Sequence, residues 1–450
     1  MDTLPSELLE FIFEEFTAVF DDDPKTLASC SLVSRAFCVA AQPLLFREVS
    51  LETKSKNTQS LVTALKDSPG RLSLHVRKLE LRSAPFMPPS DGALLDPAYS
   101  GGFCPSNALA CVELPNLVQL TVAGPYYCYS TPTRKHWNNF PIVVQTWILD
   151  ICTRRKSTQL CSLTLENLHD VPPSILQMGP TLKRLTLVHT TFDINKLREP
   201  GGSVRDSEPA VASLCQPKYL EFSQARSDIL YFDLKIFSKA KSIVFDVFSS
   251  NPESYPKTND VLKASENSIR RIAFMLRRGI SSTLSPALCD LGLSRNLTYL
   301  NLTAENTSRS CVSKIANTLS TLVPGIPLRG LCLGLFGDCK IGVDRYHGRI
   351  LFMSVLGDEH ADVWKTLDET VSSLARRLSA TLSKVHVHFW VNLQLPDGFD
   401  KNAPQSQQMW NENRRKIREL YPPFAQLLPE TSKLPGFYGD FDVGDDQMEF

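Results

Sequence analysis

The sequence predicts a small N-terminal all-α unit followed by an α/β array of short parallel strands. Three observations carry this reading. Residues 4–46 hold two or three short stretches of helical period punctuated by proline. From residue 76 onward a short apolar–polar–apolar unit recurs ten times. Between its copies lie stretches of helical period, and short strands alternating with helices run parallel through right-handed crossovers.

The first element is read from Leu4-Pro5-Ser6-Glu7-Leu8-Leu9-Glu10-Phe11-Ile12-Phe13-Glu14-Glu15-Phe16. Pro5 suits a first helical turn, where its missing N–H needs no partner, and Glu7 sits near the positive end of the helix dipole. At about 100° per residue, Leu8, Leu9, Ile12, Phe13 and Phe16 share one arc, and Glu7, Glu10, Glu14 and Glu15 lie opposite. Phe11 breaks the pattern by projecting from the acidic face, as a partner contact or packed on the chain that follows. Asp21-Asp22-Asp23-Pro24 then opens a second helix, with Asp23 as its cap and Pro24 at its first position. Its apolar set, within 26–41, is Leu27, Cys30, Leu32, Val33, Phe37 and Ala40, and Pro43 bends or ends it. Fewer than fifty residues bury too little surface to be stable alone, so this unit is expected to lean on a neighbour or a partner.

These residues carry a resemblance. Leu4-Pro5-x-Glu7-Leu8-Leu9-x-x-Ile12-Phe13, then Ser31-Leu32-Val33-Ser34-Arg35-x-Phe37 and Leu44-Leu45-Phe46, resemble an F-box of the kind found in mushroom-forming fungi. The run Asp22-Asp23-Pro24-Lys25-Thr26-Leu27-Ala28-Ser29-Cys30-Ser31-Leu32-Val33 is similar to the one that opens the second helix there. The likeness covers about a tenth of the chain. It implies docking on the Skp-family adaptor of a cullin-based (SCF) ubiquitin ligase, and through that adaptor on a cullin. By position, the implied adaptor contacts are Leu4, Pro5, Leu8, Leu9, Ile12, Leu32, Val33 and Phe37. Phe11 joins them on geometry rather than on the family.

After a short helix over 57–68, with Leu61, Val62 and Leu65 on one face, Pro69-Gly70 stops the chain. The strand units follow: Leu79/Leu81, Leu120/Val122, Leu163/Leu165, Leu185/Leu187, Leu220/Phe222, Ile243/Phe245, Ile272/Phe274, Leu300/Leu302, Leu331/Leu333 and Val385/Val387. Seven of them have Leu, Ile or Ala three residues earlier, at 117, 160, 182, 240, 269, 297 and 328. Helical periods are read at 141–155, at 310–322 and at 366–382, the last with Thr366 and Glu369 as a capping box. The L-x-x-L-x-L strand at 22–54-residue spacing resembles an irregular leucine-rich-repeat solenoid. The closing N-x-L or C-x-L is absent, and the alternative is an open α/β sheet without true repeats.

Three long connections are expected, at 83–115, 124–141 and 334–364. The second holds Tyr126, Tyr127, Tyr129, Arg134, His136 and Trp137, residue types that dominate binding hot spots, and is read as the candidate contact for a protein substrate. Past Leu395-Pro396 a basic helix over 405–421 is expected to cap the array. Domain boundaries therefore fall at 1–48 (helical docking domain), 49–75 (linker helix), 76–395 (repeat domain), 396–438 (capping segment) and 439–450 (acidic tail, expected disordered).

Composition narrows the partners. Lys+Arg and Asp+Glu both number 48, which argues against a chain built to grip nucleic acid or an anionic membrane. No stretch approaches the ~20 apolar residues of a membrane span, and no secretory leader is read at Met1. The twelve cysteines form no C-x-x-C pair, so free thiols in a cytoplasmic or nuclear setting are expected. The sequons at Asn296, Asn301 and Asn306 are read as chance. There is no G-x-x-x-x-G-K-[ST], G-x-S-x-G or H-E-x-x-H. His386 and His388 share one face of a strand and could chelate, but the sequence offers them no third ligand. No catalytic residue, metal or cofactor is therefore expected. The function expected is that of a non-catalytic substrate receptor, with a binding scaffold outside ubiquitin ligases or an α/β enzyme with an unrecognised site as alternatives.

Overall fold

The computed structural model describes residues 5, 8–9, 11–13, 15, 24–52, 56–67, 72–83, 109–124, 135–153, 159–176, 181–193, 215–223, 234–247, 254–276, 287–304, 309–343, 350–353, 361–394, 408, 411–412, 415 and 424–444. The chain forms two compact units, Met1–Pro217 and Lys218–Phe450. Both are built on a parallel ladder of short strands with helices between them, a solenoid-like α/β arrangement.

The first unit opens with helical residues at 8–9, 11–13 and 15, then α1 (Pro24–Ser31) and α2 (Arg35–Leu45). Pro24 starts α1, as its fixed φ favours. The expected cap Asp23 lies outside the described residues. One long second helix was expected, and two are found. The chain turns at 32–34, and Ser34, in extended conformation, accepts the Phe37 amide at 3.3 Å to start a new helix. Pro43 sits inside α2 near its end. Leu9, Phe13, Leu27, Ala40 and Ala41 form the core of these helices, with Cys30, Phe37, Leu44 and Leu45 packed against it.

The ladder of this unit runs β1 (Glu48–Glu52), β2 (Lys78–Arg82), β3 (Gln119–Ala123), β5 (Ser162–Glu166) and β7 (Arg184–Val188). Between them, β4 (Lys135–His136) and β6 (Leu168–His169) make a separate two-stranded pair. β1 was not expected: residues 49–75 were read as a linker helix. Only α3 (Lys56–Asp67) matches that reading, while Val49 and Leu51 continue the ladder pairs of Leu79 and Leu81. α4 (Ile142–Cys152) buries Val144, Trp147, Ile148 and Ile151, and the Trp147 indole donates to the Val112 carbonyl at 3.0 Å.

The second unit continues with β8 (Tyr219–Ser223), β9 (Ser242–Val247), β10 (Arg271–Leu276), β11 (Tyr299–Ala304), β12 (Gly330–Val343), β14 (Lys384–Gln394) and β15 (Phe437–Gly444), all parallel. β13 (Ile350–Met353) folds back antiparallel on β12. In the connection expected at 334–364, residues 334–343 and 350–353 are thus strand. Helices α5 (Ser254–Ala264), α6 (Arg309–Ser320) and α7 (Ala361–Arg377) lie between strands, and the one-turn α8 (Phe424–Leu427) precedes β15. α7 begins five residues before the expected capping box. Thr366 lies inside it and donates to the Asp362 carbonyl at 2.8 Å instead of capping. The cause is apolar: Val363 and Trp364 are buried and extend the buried stripe by a turn, with Trp364 6.1 Å from Phe389 on β14.

All ten expected strand pairs are strands, and both members of each are buried. They are also in register. Leu79, Leu120, Leu163 and Leu185 stand side by side in the first unit. Leu220, Ile243, Ile272, Leu300, Leu331 and Val385 do so in the second. Phe222, Phe245 and Phe274 stack at 6.0 and 4.9 Å along the neighbouring row. The steps from β1 to β7 and from β8 to β14 begin with the same fork, two consecutive amides donating to one carbonyl. Arg77 and Lys78 share Arg47 (both 2.9 Å), and Thr298 and Tyr299 share Arg270 (2.8 and 3.0 Å).

The acidic tail expected at 439–450 is corrected as far as Gly444, which is strand. Phe437 and Phe441 alternate with Tyr438 and Asp440, and Phe441 stacks on Phe389 at 5.8 Å. The charge of this segment hid its period of two. Of the helix expected at 405–421, residues 408, 411, 412 and 415 are described and helical; Trp410, Arg414, Ile417 and Tyr421 lie outside the described residues.

Burial also explains the thiols. It drives the Cys215 thiol up to about 12 and raises those of Cys152 and Cys289 well above the ordinary range. We expect these three to escape alkylation in the native protein, while the exposed Cys111 reacts within minutes; peptide mapping after native and denaturing labelling checks this. We also expect Leu300→Ala to destabilise the second unit by about 2–5 kcal/mol, read from the denaturant midpoint.

Candidate functional site

The N-terminal helices place the expected docking residues on two sides. The Pro5 carbonyl accepts the Leu8 and Leu9 amides at 3.1 and 3.2 Å. Leu9 and Phe13, one helical turn apart, are buried, and Phe13 meets Phe37 edge-on at 5.6 Å. Leu8 and Ile12, also one turn apart, are half exposed, and Phe11 beside them is 59% exposed. The single apolar arc of the sequence reading therefore splits into an inward row, 9 and 13, and an outward row, 8 and 12, which the exposed Phe11 joins. Phe16 and Leu4 lie outside the described residues.

Leu32 and Val33 occupy the turn between α1 and α2, at 86% and 64% exposed. The turn puts them there: Leu32 and Val33 donate their amides to Ser29 and Cys30, and Ser34 then redirects the chain. Fully covering a side chain of this size is worth about 1.5–3 kcal/mol, so five such residues offer a large incentive for association. Of the expected contacts, Pro5, Leu8, Phe11, Ile12, Leu32 and Val33 are exposed. Leu9 is core, and Phe37 is half-buried against that core.

The second expected site fares differently. Tyr126, Tyr127, Tyr129 and Arg134 lie outside the described residues. The backbone of Lys135 and His136 pairs with Leu168 and His169. Trp137 is buried and packs 5.8 Å from the buried Phe140, so it anchors the loop's end rather than presenting itself to a partner. A shallow apolar cleft is lined by Ala110 and by Ile142, Val143, Thr146, Trp147 and Asp150 of α4.

A third constellation was half legible. His386 and His388 share a face of β14, as expected, and β15 brings Asp440 opposite His388. One Asp440 oxygen lies 2.7 Å from His386 Nε2 and the other 2.6 Å from His388 Nδ1. Partial burial works to raise the Asp440 pKa. The hydrogen bonds and charge of the two imidazoles outweigh it and hold the carboxyl below its usual value. Asp440 stands 52 residues from His388 in the chain, and only the alternation of Phe437 and Phe441 could have placed it on a strand edge.

Comparison with protein-family models and with curated proteins finds no match.

Because Leu32 and Val33 are exposed, we expect Leu32→Asp with Val33→Asp to leave the unfolding midpoint within about 0.5 kcal/mol of the parent. Phe13→Ala, in the core, should cost about 3–5 kcal/mol. Chemical denaturation of the two variants separates surface from core.

Proposed function

We propose that this chain is a non-catalytic substrate receptor of an SCF-type ubiquitin ligase. In this reading residues 1–48 dock as an F-box on a Skp-family adaptor, and an irregular leucine-rich-repeat-like region holds a protein substrate. The observation that carries it is the set of apolar side chains, Leu8, Phe11, Ile12, Leu32 and Val33, left exposed around a small helical core. Five of the positions that the F-box resemblance implies as contacts (Pro5, Leu8, Ile12, Leu32 and Val33) are among the exposed residues. The registered ladder supports the second half, since stacked strand–helix units offer long rigid surfaces for protein partners. The receptor works by proximity: it raises the effective concentration of a substrate lysine near the activated ubiquitin, and the chemistry takes place on other subunits.

The test is retention of a purified Skp-family adaptor on the immobilised chain. We expect the parent to retain it. Leu32→Asp with Val33→Asp should retain at least about tenfold less, two buried charges at an interface each costing more than the 1.4 kcal/mol that a factor of ten represents. A parent chain that retains no adaptor removes this reading.

A further inference from the structure

We propose that His386, His388 and Asp440 form a binding site for a divalent transition-metal ion of the zinc class. The site lies in the second unit and makes no use of the N-terminal helices, so it stands or falls separately from the docking reading. Its donors are two imidazole nitrogens and a carboxylate oxygen, and they all lie within 4.8 Å of one another. Ligand atoms around a tetrahedral zinc with bonds of about 2.0–2.1 Å stand about 3.3 Å apart, a spacing that small side-chain rotations reach from here. The chemistry of the set selects the metal. Two imidazoles with one carboxylate suit zinc, cobalt, nickel or copper, whereas calcium and magnesium seek all-oxygen shells.

The backbone is shaped to present the three groups. His386 and His388 project from β14 on the face opposite the buried Val385, Val387 and Phe389. Asp440 reaches them because β15 enters beside β14 through Gly436. There φ is +77°, and a Cβ would lie 2.1 Å from the Ser383 carbonyl oxygen. Gly439 permits the same approach on its other side, where a Cβ would lie 2.7 Å from the Phe424 ring. The three side chains are about one-third exposed, open enough for an ion and its remaining water ligands to enter from solvent.

The surroundings support ligation by His386. Its Nε2 faces Asp440, and its Nδ1 faces the Cys332 sulfur at 3.9 Å. An ion on Nε2 moves the ring proton to Nδ1, where the sulfur stands as a weak outer-shell acceptor. Tyr438 flanks the same ring at 5.0 Å, and Trp390 stacks beside His388 at 6.2 Å, so both imidazoles are held in orientation. Three protein ligands leave at least one coordination position for water or for a ligand atom from a partner. By bridging β14 and β15, a bound ion would also fix the last strand to the sheet, because an ion that binds the folded form alone stabilises it.

The experiment is equilibrium dialysis of the full chain against zinc in the presence of excess magnesium, with cobalt absorption spectra recorded in parallel. We expect one zinc per chain. Affinity should fall by more than about tenfold in His388→Ala and Asp440→Asn, since losing a ligand costs at least as much as losing an outer-shell partner. Cys332→Ser should still bind one equivalent. Asp440→Asn preserves size and hydrogen-bonding capacity, and circular dichroism confirms that each variant is folded. The cobalt spectrum of the parent decides independently of any variant. Visible bands clearly stronger than those of aqueous cobalt, without a near-ultraviolet thiolate band, support the nitrogen–oxygen site. A strong thiolate band, equal zinc binding by parent and variants, or no binding by the parent overturns it.

Discussion

Within each unit, the constraint on which the structure depends is the register of the parallel ladder. From β1 to β7 and from β8 to β14, two consecutive amides at the head of the next strand share the carbonyl of the residue just before the preceding strand, and this fork sets where the next strand begins. Once Lys241 accepts from Arg270 and Arg271, Ile272 must stand beside Ile243, and Phe274 beside Phe245. A slip of one residue would turn every buried pair to the solvent face, because side chains alternate with a period of two. Each slipped pair would lose several kcal/mol of burial at about 1.5–3 kcal/mol per side chain, so the register is strongly determined. The residue three positions before seven of the ten pairs reinforces it. Leu117, Leu160, Leu182, Ala240, Ile269, Leu297 and Leu328 are all buried and pin the entry to the strand.

A fixed register leaves the length and content of the connections free, which is why spacings of 22 to 54 residues are tolerated between strands. It also aligns what stands on the opposite face. Cys332, His386 and Tyr438 fall in one cross-strand row, and Gly334, His388 and Asp440 in the next. The histidines and the aspartate meet because the core pairs above them are in step, not because they are near in sequence. The same rule places charge on the first unit's outer face, where Lys78 pairs with Glu48 across β1 and β2.

The ladder was legible in the sequence because apolar residues two apart, preceded by another at minus three, satisfy no helical period. Its ends were not. β1 carries Val49 and Leu51, the same signal, but it directly follows the helical unit and was absorbed into a linker. β15 carries Phe437 and Phe441 with Gly439 between them, and its aspartates gave the impression of a solvated tail. The start of α7 was displaced because a Thr-x-x-Glu pattern fits a cap locally, while burial of Val363 and Trp364 outweighs it at longer range. For the candidate docking residues, amphipathic periodicity located the helix but not its phase. Leu8 and Leu9 are equally apolar, and only packing against Phe37 and Leu27 decides which of them turns inward.

That phase has an energetic consequence. Adjacent positions on a helix are about 100° apart, so the row Leu9–Phe13 and the row Leu8–Ile12 cannot both face one small core. Burying the second row internally would expose the first, and among the described residues no third layer covers it. The exposed leucine, isoleucine and phenylalanine are therefore not an error of packing that rotation could repair. They are surface that only a second molecule or another stretch of chain can remove from water. A helical core of five fully buried residues, two of them alanines, is marginal by itself. A partner that binds only the folded form would stabilise these helices as it binds. For such a partner, docking and folding of this segment would be two readings of one equilibrium, and a substitution in its core would weaken association even where it touches no partner.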